Sequence, residues 1–143
     1  MSVLVDANLL LYAKFSDFPQ HEAARGWLDT ALNNPEPVGI AWVSLTAFVR
    51  IGSNPRILEL PLSPDEAVQQ IRQWTGRRNV WAPEPGDNFK EIFTRVLCES
   101  QATGNLVSDA YLAALALEHG LTVISADADF ARFAQVKWRN PMQ

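Results

Sequence analysis

The sequence holds little that would support zinc or disulfide chemistry: one cysteine, Cys98, and two histidines, His21 and His119, among 143 residues. One thiol cannot close an internal disulfide, and three such residues scattered along the chain do not make a zinc pattern. No apolar run approaches the ~18 residues of a membrane span. No basic-then-apolar leader opens the chain either, because "MSVLVD" meets Asp6 almost at once. The expected setting is therefore cytoplasmic, with no membrane contact. Positive charge is also in short supply, with 12 Lys and Arg against 16 Asp and Glu for a formal net charge of −4. Any nucleic-acid contact has to come from local basic groups or from metal ions. Low-complexity tracts and internal repeats are absent.

What is present is a globular composition, 48% hydrophobic and 20% charged. A chain of this size buries roughly 68–70% of its unfolded surface, enough for one core, and a single domain over residues 1–143 is expected. "SVLV" (2–5) reads as a β-branched strand covered on both faces, and "DANLLLYA" turns helical directly after it. "PQHEAARGWLDTALNN" spaces its apolar residues by three and four, as an amphipathic helix does. "VGIAWVS" (38–44) reads as a second strand, followed by a short helix "SLTAFVRIGSNP" with Ser44 as N-cap.

Ser63, Pro64 and Glu66 form the capping-box start of another helix, "SPDEAVQQIRQWT". "NVWAP" suggests a brief strand and "DNFKEIFTRVLCESQATG" an amphipathic helix. "NLVSDAYLAALALEHG" passes from apolar residues into a helix of small residues closed by Gly120. "LTVIS" is a strand, "DADFARFA" a short helical turn and "VKW" an edge strand. Strands alternating with helices imply an α/β fold with a mostly parallel sheet.

Three apolar runs end in acid: Val5 into Asp6, Val107–Ser108 into Asp109, and Ser125 into Asp127. In an open parallel sheet the crevice beyond the carboxyl ends of the strands is where ligands bind, so the three carboxylates should converge there. A lone aspartate at such a junction is most often a helix N-cap. Three together would repel one another and raise one another's pKa unless a cation offset the charge. Mg²⁺ and Mn²⁺ favour oxygen ligands, and such a site suits hydrolysis of a phosphodiester by an activated water, without histidine or cysteine.

"VLVDANLLLYA", "NLVSDAYLAALALEHG" and "TVISADADFARF", in this order and spacing, resemble the PIN domain, and within it the VapC toxins of type II toxin–antitoxin pairs. The resemblance spans essentially the whole chain. It implies a three-layer αβα sandwich around a mostly parallel sheet of four to five strands, usually homodimeric. It also implies an Mg²⁺- or Mn²⁺-dependent endoribonuclease that leaves a 5′-phosphate and a 3′-hydroxyl and is silenced by a cognate antitoxin. Position by position, Asp6, Asp109 and Asp127 match the family's first, third and fourth acids. Asp129 is either a further metal position, reached through a water molecule, or a helix cap. Asn8 and Ser125 match polar positions beside the acids, with simple capping as the other reading for Asn8.

The resemblance departs at one point. Many members carry a glutamate in the helix after the second strand, and the matching place here is Phe48. Arg50, two residues on, is read either as a phosphate contact or as an ordinary surface arginine. The missing acid keeps open a degenerate domain that binds RNA or protein without cutting. A haloacid-dehalogenase-like phosphohydrolase with Asp6 as nucleophile is a further alternative, but it calls for a second acid where Asn8 stands. Cys98 is expected to be a small buried hydrophobe, the tryptophans core or interface residues, and the two histidines capping or surface groups.

Overall fold

In the computed structural model, which describes residues 2–143, five short strands form one sheet of order β3-β2-β1-β4-β5. They are β1 (Val3–Val5), β2 (Val38–Gly39), β3 (Val80–Trp81), β4 (Thr122–Ile124) and β5 (Trp138–Arg139), and every pairing is parallel. The mostly parallel sheet of four to five strands is thus borne out, at five. The helices are α1 (Ala7–Lys14), α2 (His21–Leu32), α3 (Trp42–Gly52), α4 (Pro64–Thr75), α5 (Phe89–Ser100) and α6 (Leu106–His119), with a 3₁₀ turn over Ala128–Arg132.

Alternation along the strands feeds two cores, because successive side chains leave opposite faces of a sheet. Val3, Val5, Val38, Ile40 and Ile124 join the core shared with α1 to α4. Leu4, Ala41, Leu121 and Val123 join the one shared with α5, α6 and the 3₁₀ turn. Both faces are covered, which is why all three residues of β1 are apolar and buried. The three-layer αβα sandwich follows from this. Close packing also fixes Gly39: a Cβ there would come within 2.9 Å of the Pro83 ring and 3.1 Å of the Val3 carbonyl. Gly120, at φ 69°, ends α6 in the left-handed conformation that glycine adopts without strain. Among the described residues no helix is long and apolar enough to cross a membrane.

Two expected elements differ. The strand expected over 38–44 pairs only at Val38–Gly39, and α3 is already helical from Trp42, with Ala41 rather than Ser44 at its N-cap. Ser44 is buried inside that helix, so packing overrides both its capping tendency and the β preference of Trp42 and Val43. Val107–Ser108 is no strand at all. Turns through Thr103 and Gly104 start α6 at Leu106, and Asp109 lies in its first turn. An apolar pair is too short for periodicity to distinguish strand from helix. Cys98 is exposed rather than buried.

Candidate metal centre

The strand order places the site. From β1 the chain adds β2 and then β3 on one side, and only later β4 on the other, so the direction of winding reverses between β1 and β4. That switch point opens a crevice beyond the strand ends. Asp6 leaves β1 there, and Ser125 to Asp127 leave β4 beside it, with the Asp6 N–H donating to the Ile124 carbonyl at 2.9 Å. α6 runs back toward the start of β4, so its first turn, and Asp109 with it, lies at the same edge.

Asp6 and Asp127 each cap a helical segment and face the crevice, so capping and site geometry are compatible. The Ala7 N–H donates to Asp6 Oδ1 at 2.7 Å, and the Asp129 N–H to Asp127 Oδ1 at 2.9 Å. Ser125, fully buried, links the two walls. Its hydroxyl donates to Asp6 Oδ2 at 2.7 Å and accepts from Asn8 Nδ2 at 3.1 Å and from the Asp127 N–H at 3.0 Å. One donor and two lone pairs are then fully used. Asn8 Oδ1 in turn accepts from the Ala126 N–H at 3.3 Å, so Asn8 reaches across to the β4 exit rather than only capping α1. The Trp138 indole N–H donates to the Ser125 carbonyl at 3.0 Å. This support from the edge strand leaves no trace in local sequence pattern.

One carboxylate oxygen from each of Asp109, Asp127 and Asp129 lies within 4.8 Å of the others. Asp109 and Asp127 are half-buried and Asp129 is exposed. Burial pushes the Asp109 carboxyl up to about 7, helped by the negative charges of Asp6, Asp127 and Asp129. Burial likewise raises Asp6, against the hydrogen bonds from Ser125 and Ala7 that lower it, and Asp127 adds to the rise. Among the described residues no lysine or arginine forms an ion pair with any of the four. The donor set is all oxygen and the negative charge is uncompensated, which fits a hard divalent cation such as Mg²⁺ or Mn²⁺.

Phe48 and Arg50 lie away from this cluster. Phe48 is fully buried, its ring 6.1 Å from that of Phe15 and 4.8 Å from that of Trp74. Its side of α3 faces α1 and α4, where a carboxylate would be stranded in the core. Arg50 is exposed in the last turn of α3, with no hydrogen bond or ion pair to the acids among the described residues. A cavity of about 400 Å³ between the end of α1, α2 and α4, lined by Lys14, Arg25 and Arg77 among others, does not include the acids.

Residues 3–136 match the sequence profile of the PIN domain. Ribonuclease VapC37 of Mycobacterium tuberculosis is 39% identical over 138 residues, covering 96% of each chain. Ribonuclease VapC33 of the same species is 34% identical over 141 residues, covering 99% of each. Among solved structures, VapBC2 from Rickettsia felis bound to a promoter DNA fragment superposes with a TM-score of 0.70 at 13% identity, covering 98% of each chain. VapC20 of Mycobacterium tuberculosis gives 0.69 at 17%, covering 94% of this chain and 98% of that one. At such identities the two structures establish the fold, and the sequence relatives establish the lineage. The chain belongs to the PIN-domain family, among the VapC proteins.

Proposed function

We propose that this protein is the toxin of a type II toxin–antitoxin pair and acts as a single-domain endoribonuclease that depends on Mg²⁺ or Mn²⁺. The observation that carries the reading is the convergence of Asp6, Asp109, Asp127 and Asp129 at the switch point, with no lysine or arginine ion-paired to them among the described residues. Its relatives are named ribonucleases, and several of its structural neighbours are complexes of a VapC with its antitoxin. Asp6, Asp109 and Asp127 are the ligands we assign to the cation, with Asp129 as a further or water-mediated one. When bound, the cation supplies a Lewis acid for the phosphodiester and offsets charge developing during in-line attack by water. Ser125 and Asn8 hold Asp6 and the Asp127 backbone in place, so the ligands need not reorganise when substrate arrives. Arg50 on α3 is the proposed contact to a flanking phosphate.

Expression of the protein alone should arrest bacterial growth, and co-expression of the adjacent antitoxin should relieve the arrest. The purified protein should cut single-stranded RNA with Mn²⁺ or Mg²⁺ and stop when a chelator is added. Unaltered cutting in excess chelator would remove the cation from the reading. A homodimer is expected in solution, and sedimentation measures it.

A further inference from the structure

We propose that Trp42 is a base-stacking platform on the RNA path, taking a nucleobase that flanks the scissile phosphate. The inference rests on the ribonuclease reading and adds to it the residue that grips the substrate.

Placement comes first. β1 and β2 pair with Val3 opposite Val38 and Leu4 opposite Gly39. Two residues past the last registered pair, Asp6 and Ala41 are each the N-cap of the helix that follows its strand, α1 and α3, so both helices start from the same edge of the sheet. α3 begins at the next residue, Trp42, on the edge that carries the acids. Ala41 belongs to the core that also holds Ala110, the neighbour of Asp109, and Val43 packs against the same core. Trp42 between them is left 50% exposed. Among the described residues neither an aromatic ring nor a hydrogen-bond acceptor engages its indole.

The surroundings select the occupant. The exposed flank of α3 carries Trp42, Thr46 and Arg50, at intervals of four residues, and the whole helix has no acid despite the chain's net charge of −4. An aromatic plane near the acids and a guanidinium about 12 Å further along the axis offer stacking to a base and charge to a phosphate. Exposed Ile57, Leu60 and Val68 offer apolar surface outside α3, and Val107, two residues before Asp109, adds an exposed apolar side chain in the first turn of α6. A single RNA strand leaving the acids along α3 uses all three side chains.

The test compares the wild-type protein with Trp42→Ala and Trp42→Phe. Cleavage of a random-sequence 15-nucleotide RNA pool in Mn²⁺ gives KM and kcat. Anisotropy of the same pool, labelled with fluorescein, on an Asp6→Asn background gives Kd without cleavage. Stacking of one base predicts a rise of about tenfold or more in both KM and Kd for Trp42→Ala, little change in kcat, and recovery of most of the loss by Trp42→Phe. Equal Kd values for all three proteins would overturn the proposal, whether or not the wild type cuts. So would equal losses in both variants accompanied by a lower melting temperature, which would make Trp42 structural. A change in oligomeric state with RNA binding intact would assign it to a protein interface instead. Failure of the wild type to cut the pool, with Trp42-dependent binding preserved, would sink the nuclease reading and leave the stacking platform standing.

Discussion

The two walls of the acid cluster are built differently. On the β1/β4 wall, Asp6 receives a hydrogen bond on each oxygen, from Ala7 and Ser125, and Ser125 is itself held by Asn8, Asp127 and Trp138. On the α6 wall, the Asp109 carboxylate accepts no hydrogen bond among the described residues and faces three like charges. One wall is organised by its own hydrogen bonds, and the other leaves its carboxylate without a hydrogen-bond donor among the described residues, open to the proposed cation. Substitutions should therefore separate by wall: on the first they disturb the fold and the site together, and on the second they disturb the site and relieve the fold.

The largest expected effect is on cleavage. Asp109→Asn and Asp6→Asn each remove a carboxylate from the proposed ligand set, and each should lower kcat by about 10²–10³-fold or more, the scale seen when one essential electrostatic group is lost. Initial rates in saturating Mn²⁺ measure it, and activity within a factor of two of the wild type for either variant would strike that residue from the set. Ser125→Ala comes next. It removes a buried hydroxyl that makes three hydrogen bonds, leaving Asn8 and the Asp127 N–H short of a partner, at a cost of about 1–3 kcal/mol. For a chain of this size that is a drop of roughly 3–10 °C in melting temperature, together with weaker cation binding because Asp6 and Asp127 lose their common anchor. Calorimetry on the metal-free protein would detect the first loss and titration with Mn²⁺ the second.

Cation affinity should also follow pH through the α6 wall. As a proposed ligand Asp109 has to be ionised to bind, and burial beside three other carboxylates pushes its carboxyl up to about 7. Below that pH a proton must leave as the cation enters, so affinity should fall by about tenfold per pH unit and level off above 7. Calorimetric titrations with Mn²⁺ at pH 5.5, 6.5 and 8 would trace this. A flat profile would mean that Asp109 carries no ligand role.

The difference between the walls also decides what could be read from the sequence. Asp6 was legible because β1 is a plain apolar run and its exit needs no tertiary information. Asp127 follows β4 in the same way. Asp109 was legible as an acid, but its setting was not: Leu106 and Val107 look like a strand end, and only the turns through Thr103 and Gly104 make them the start of a helix. Phe48 stood out as a missing acid because alignment with a family pattern says nothing of helix phase. The face of α3 that carries Phe48 turns its ring onto those of Phe15 and Trp74. The Trp138 bond to Ser125 ties β5 to the residue just past β4, and no local period encodes it. The five parallel strands, by contrast, follow from the alternation of apolar runs and helices.

The smallest effect is the most discriminating between the walls. The Asp109 carboxyl is raised from the ordinary 3.8 to about 7, so the folded protein holds that proton more tightly than the unfolded chain does. Between pH 4 and 7 the folded state then binds more protons, and stability contributed by this group is present below pH 4 and lost as pH climbs to 7. Asp109→Asn carries no such charge, and in excess chelator at pH 8 it should be more stable than the wild type. Because the group is half exposed, solvent screening reduces the gain to about 1 kcal/mol, or roughly 2–4 °C. At pH 4.5 the two should melt nearly together. Asp6→Asn should show no comparable gain, since relief of charge there is offset by a weaker bond with Ser125. A metal-free Asp109→Asn protein that melts below the wild type at pH 8 would mean that the α6 wall is anchored after all, and the contrast between the walls would be lost.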